Sequence, residues 1–163
     1  MRLFAVAMAC AAIAGAAPAH ADDGRLDWPL RPRPAVARPF DAPSLRWQPG
    51  HRGVDLAARP GQPVYAAQAG TVVFAGRLAG RPLVSVAHPG GLRTTYEPVT
   101  ATVRRGQLVS AGGVLGEVIA GHAGCGSATC LHWGAMWGPA SRADYIDPLG
   151  LLVETEVRLK PLR

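Results

Sequence analysis

The chain has 163 residues, enough for one domain with extensions, and carries 17 Lys and Arg against 11 Asp and Glu, a net charge of +6. Nearly all of that basicity is arginine, with Lys160 the only lysine, and apart from Arg104-Arg105 the arginines are scattered. One reading of that charge is attraction to a polyanion, which for an exported chain means wall polymers or lipid head groups rather than nucleic acid; the scatter favours the other, plain compositional bias towards Ala, Gly, Pro and Arg.

Met1 to Ala21 reads as a signal peptide, with basic Arg2, an apolar run from Leu3 to about Ala17, and the small-residue site Ala19-His20-Ala21 before Asp22. The apolar run falls short of the roughly 20 residues that span a bilayer, so export is expected and a stable membrane anchor is not. Cys10 has no Leu three positions before it and too short a leader for lipidation. Cleavage after residue 21 removes Arg2, which lowers the net charge to +5, and leaves Cys125 and Cys130. An even pair of cysteines in an exported chain points to a disulfide.

Residues 22–47 contain Pro29, Pro32, Pro34, Pro39 and Pro43. Proline lacks the N–H that a sheet ladder needs, so this segment is expected to be a lead-in arm with at most short edge pairing. Trp28, Phe40 and Trp47 are its candidate anchors.

From His51 onward, short runs of β-branched residues alternate with glycine turns. Strands are predicted near Gly53–Leu56, Pro63–Ala66, Gly70–Ala75, Leu83–His88, Leu92–Tyr96, Leu108–Ser110, Val114–Ile119 and Leu131–Met136. Asp144 to Leu149 reads as a closing segment. No window of ten or more residues has a helical period. The expected fold is all-β, an antiparallel sandwich or barrel-like hybrid over residues 48–152, with a tail at 153–163. Gly61-Gln62-x-Val64-x-Ala66 returns as Gly106-Gln107-x-Val109-x-Ala111, which suggests a pseudo-duplicated half. A biotinyl or lipoyl carrier would share such a duplication, but it needs a lysine at a hairpin tip, and Lys160 follows the last predicted strand.

His51 and Asp55 are spaced H-x-x-x-D, and a second histidine, His132, lies in C-L-H-W-G. Two imidazoles and a carboxylate suit zinc, with a water in the fourth position. On an extended segment, the period of two puts His51 and Asp55 on one face.

Together, H-R-G-V-D-L, G-Q-P-V-Y-A-A-Q-A-G-T-V-V-F-A-G, V-A-H-P-G-G-L-R-T-T-Y, G-Q-L-V-S-A-G-G-V-L-G and L-H-W-G resemble the lysostaphin/LytM-type zinc metallopeptidases, which cut peptide bonds in peptidoglycan. The resemblance covers His51 to Leu149. It implies Zn2+ as cofactor, His51, Asp55 and His132 as its ligands, and a structural role for His88. Active members also carry two non-ligand histidines, and here those positions are Cys130 and Pro98. Loss of a positioned acid–base group typically costs about 10²–10⁴ in rate.

His122, in the glycine-rich loop 121–126, is the candidate replacement, with a solvent-facing loop histidine as its alternative; Tyr96 is the other, with a plain core role as its alternative. By alternation Glu97 should face away from the site unless a bulge intervenes. Cys130 lies two residues before His132, on the same face if the strand is regular. It has three possible fates: a bond to Cys125, a fourth zinc ligand that closes the site, or a free thiol. Trp133 and Trp137 either stack on substrate or pack in core and rim. The expected product is a secreted or wall-associated protein that hydrolyses peptide cross-links. The alternative is a degenerate module that binds wall peptides or activates a wall amidase and keeps zinc for structure.

Overall fold

Eleven strands run through the residues described by the computed structural model, which are 25–43, 45 and 47–152. The leader and the 153–163 tail with Lys160 lie outside them. In chain order the strands are β1 (Val36–Arg38), β2 (Val54–Ala57), β3 (Pro63–Tyr65), β4 (Gly70–Leu78), β5 (Arg81–Ala87), β6 (Leu92–Glu97), β7 (Val99–Ala101), β8 (Leu108–Val109), β9 (Val114–Val118), β10 (Cys130–Trp137) and β11 (Asp144–Ile146). Only single turns of 3-10 helix accompany them, as the lack of a helical period requires.

All pairings between these strands are antiparallel. The large sheet runs β1-β2-β10-β6-β5-β4-β8, with β11 also on β10, and a small sheet runs β3-β9-β7. The sheets do not close into a barrel. Val54, Leu56, Val72, Val84, Val86, Tyr96, Leu131 and Trp133 of the large sheet share one buried core with Val64, Val99, Leu115 and Val118 of the small one. The chain crosses between sheets at Pro98, directly after β6. Proline cannot donate to a ladder, so a strand that read as continuous stops there and β7 joins the other sheet.

The duplicated motif folds as two copies of one turn. In each, the glutamine N–H donates to an arginine carbonyl three residues back, Gln62 to Arg59 and Gln107 to Arg104. The glutamine Oε1 accepts from that same arginine's N–H. Gly61 (φ 77°) and Gly106 (φ 86°) hold the left-handed position that such a turn demands. Each turn then docks on the strand that follows the other copy. Gly61 N–H donates to Val118 O and Val118 N–H to Gln62 O; Gly106 N–H donates to Val72 O and Val72 N–H to Gln107 O. This reciprocal exchange ties the first turn to β9 and the second to β4.

The arm makes the short edge pairing that its prolines permit. β1 pairs with β2, Leu26 N–H donates to Leu151 O, and Tyr65 N–H donates to Pro29 O. Trp28 and Phe40 pack against the core, and Trp28 sits 6.4 Å from Trp133 between ring centroids. The third expected anchor does not hold: Trp47 is 79% exposed, in a turn between β1 and β2.

Tyr96 and His88 belong to the core. Tyr96 Oη accepts from Ala67 N–H and meets Thr94 Oγ1 at 2.8 Å. His88 Nδ1 donates to Ala69 O, which leaves Nε2 facing Thr94 Oγ1 at 2.7 Å. Burial pushes the Tyr96 phenol up to about 12, because the ionised form loses its water. The native pKa lies above the unfolded one, so this stabilisation is intact below about pH 10 and is lost as pH rises towards 12. At about 1.4 kcal/mol per unit, roughly 3 kcal/mol is expected to disappear over that window. Urea unfolding at stepped alkaline pH measures it. The Tyr96→Phe protein should lack most of the slope, and an equal slope in both proteins would remove Tyr96 as its source.

Candidate metal centre

The register of the large sheet builds the site. Asp55 on β2 and Glu97 on β6 both stand opposite His132 on β10, so the three side chains form one row across the sheet. His51 precedes β2 and is clasped to the arm by paired backbone bonds with Asp41. His122 enters from the loop between β9 and β10.

Three imidazoles converge on one carboxylate oxygen. Asp55 Oδ1 lies 2.9 Å from His51 Nε2, 2.9 Å from His132 Nδ1 and 3.0 Å from His122 Nε2. His51 Nε2 and His132 Nδ1 are 3.1 Å apart. Asp55 is fully buried, and its Oδ2 has no hydrogen-bond partner. Burial alone would raise the Asp55 carboxyl. Hydrogen bonds that His122, His132 and His51 donate in their protonated forms, with the charge of His122, outweigh it and hold the group well below the usual carboxylate range.

The arrangement fits a cation. His51 Nδ1 donates to Pro39 O at 2.6 Å, so in its neutral form Nε2 carries a lone pair, and that lone pair points at a carboxylate oxygen and another imidazole nitrogen. Lone pairs facing one another at 3 Å need a positive charge between them. A tetrahedral ion about 2.1 Å from its donors spaces them by about 3.4 Å, close to the 2.9–3.1 Å observed here. All four donor atoms of His51, Asp55, His122 and His132 lie within 4.8 Å of one another.

Gly53, in the middle of H-R-G-V-D, has a steric reason to be glycine. A Cβ there would lie 2.6 Å from Trp133 O and 2.7 Å from His132 Nε2, the far side of the ring whose Nδ1 faces Asp55. A larger residue would push that ring towards the cluster.

Cys130 forms a disulfide with Cys125, with Cα atoms 5.9 Å apart, so neither a free thiol nor a fourth thiolate ligand remains. The bridge closes the loop at the start of β10. Gly126 also packs the loop onto Ala37 of β1, where a Cβ would lie 2.8 Å from the Ala37 carbonyl. Trp133 is core, and Trp137, 38% exposed, is at the rim.

Glu97 corrects the alternation-based expectation. It faces the site, lining a groove of about 790 Å³ together with His51, His122 and His132. Its position directly opposite His132 puts it on the same face of the sheet as that histidine. Parity counted through Pro98 fails, because β6 ends at Glu97. The same groove is lined by Arg38, Arg52, Arg81, Arg93 and Arg105, and Arg81 pairs with Glu97 at 3.4 Å. Scattered in sequence, these arginines gather in space, which composition alone does not reveal.

The profile described as peptidase family M23 matches residues 49–148. The protein Rv2891 of Mycobacterium tuberculosis is 71% identical over 157 residues, 96% of this chain and 63% of its own length. The chain therefore spans less than two thirds of that relative. Among solved structures, Helicobacter pylori Csd3 superposes with a TM-score of 0.62 at 28% identity, covering 84% of this chain and 37% of Csd3. The antimicrobial peptidase lysostaphin from Staphylococcus simulans superposes with a TM-score of 0.63 at 22% identity, covering 85% and 59%, a likeness of fold.

Proposed function

This chain belongs to peptidase family M23, and from that membership we propose that it is an exported zinc metallopeptidase that hydrolyses peptide cross-links in peptidoglycan. The observation that carries the reading is the convergence of His51 and His132, both lining the groove, on the buried carboxylate of Asp55, whose Oδ2 has no other partner. His51, Asp55 and His132 hold the ion. Zinc in that position supplies a Lewis acid for a scissile carbonyl and a water activated at neutral pH. The Pro39 carbonyl fixes the His51 tautomer, leaving Nε2 as the donor. The groove takes an extended peptide, and its arginines attract carboxylates on that peptide. Glu97, directly across from His132, is within the same groove to meet a substrate amide or water.

A second reading is favoured by one observation. The family's two catalytic histidine positions are Cys130 and Pro98, and the Cys130 sulfur is consumed in a disulfide. That suits a wall-binding or amidase-activating module in which zinc serves the fold. The test is to incubate zinc-loaded mature protein (22–163) with purified sacculi and count new amino termini. Release that disappears in Asp55→Ala supports hydrolysis. Co-sedimentation without any release leaves the binding module.

A further inference from the structure

We propose that His122 is a fourth protein ligand, so that the resting metal centre is a closed His3Asp site with no position for water. The inference rests on the zinc reading of the cluster and goes beyond the three-ligand set. His122 Nε2 lies 3.0 Å from Asp55 Oδ1, the same spacing at which His51 and His132 stand from that oxygen. An acid–base residue would instead stand off the cluster by the width of a water. The His122 ring lies 5.3 Å from the His132 ring, and its side chain is only 15% exposed despite its place in a glycine-rich loop.

The fold holds it there. Cys125–Cys130 ties the loop to the ligand strand, Gly126 seats it on the Ala37 carbonyl of β1, and Ile119 N–H donates to Pro98 O just before it. With four protein donors a zinc site is structural in type; three donors and a water make a catalytic one. Hydrolysis then requires His122 to leave, and the loop's glycines, Gly121 (φ 115°) and Gly124 (φ 78°), are where the backbone can turn. His122 is thus a removable cap on the metal.

X-ray absorption of the zinc-loaded mature protein, with chelator competition, tests this without any substrate. Three histidine scatterers are expected in the parent, and two with an added oxygen in His122→Ala, with zinc affinity falling at least about 10-fold. His122→Gln, which keeps the side-chain bulk, guards against a folding defect and should lose the same scatterer. A parent site with two histidines and a water, or equal affinities in all three proteins, overturns the cap while leaving the three-ligand zinc site standing. A protein that binds no zinc overturns both.

Discussion

Asp55→Ala is expected to bind zinc more than about 100-fold more weakly than the parent and to lose its zinc-dependent gain in thermal stability. Losing a residue that merely orients a ligand costs about 10–100-fold, and Asp55 is proposed to be a ligand itself, so its loss should exceed that range. It is also the only anionic donor in the cluster and the one that all three imidazoles touch. Without it, an ion would rest on neutral nitrogens in a buried site. In the parent, zinc at a thousand times its Kd adds about 4 kcal/mol, on the order of 10 °C for a domain of this size. Thermal melts with and without zinc read the difference directly. A variant that still shifts by as much as the parent would show that the ion, if bound, is held elsewhere.

Trp133→Ala should destabilise the fold by about 3–5 kcal/mol, the cost of an aromatic-sized cavity that its walls cannot close. Trp133 is fully buried on β10, pairs in register with Val54 of the strand that carries Asp55, and has its ring against the arm residue Trp28. Total stability of a domain is about 5–15 kcal/mol, so this single change removes much of it. Trp137→Ala, at the exposed end of the same strand, should stay within about 1 kcal/mol. Urea denaturation compares the two. Equal small losses would mean that Trp133 is not the keystone between sheet and arm.

The strands were readable because β-branched runs and glycine turns are local signals; all eight expected segments are strands within a few residues. β1, β7 and β11 carry weaker signals. β1 lies among prolines, β7 is separated from β6 by one proline that sends the chain to another sheet, and β11 exists only because β10 offers an edge. The site divides in the same way. His51, Asp55 and His132 were visible as donors at suggestive spacings. The orientation of Glu97 depends on where a strand stops; His122 and the Cys125–Cys130 bridge were legible, but the seat of their loop depends on contact with Ala37 of β1, far away in the sequence. Trp47 shows the opposite error, since an aromatic in an irregular arm need not find a pocket.

The bond from His51 Nδ1 to the Pro39 carbonyl has a bearing on what the smallest metal-binding unit can be. The stretch that matches the family begins at residue 49, ten residues after that carbonyl. A fragment cut at the family boundary would retain every ligand yet free the His51 ring to rotate and to exchange its proton between nitrogens. Proteolytic trimming of the proline-rich arm would thus retune the affinity of a site to which it contributes no ligand, making the arm a control point for metal loading.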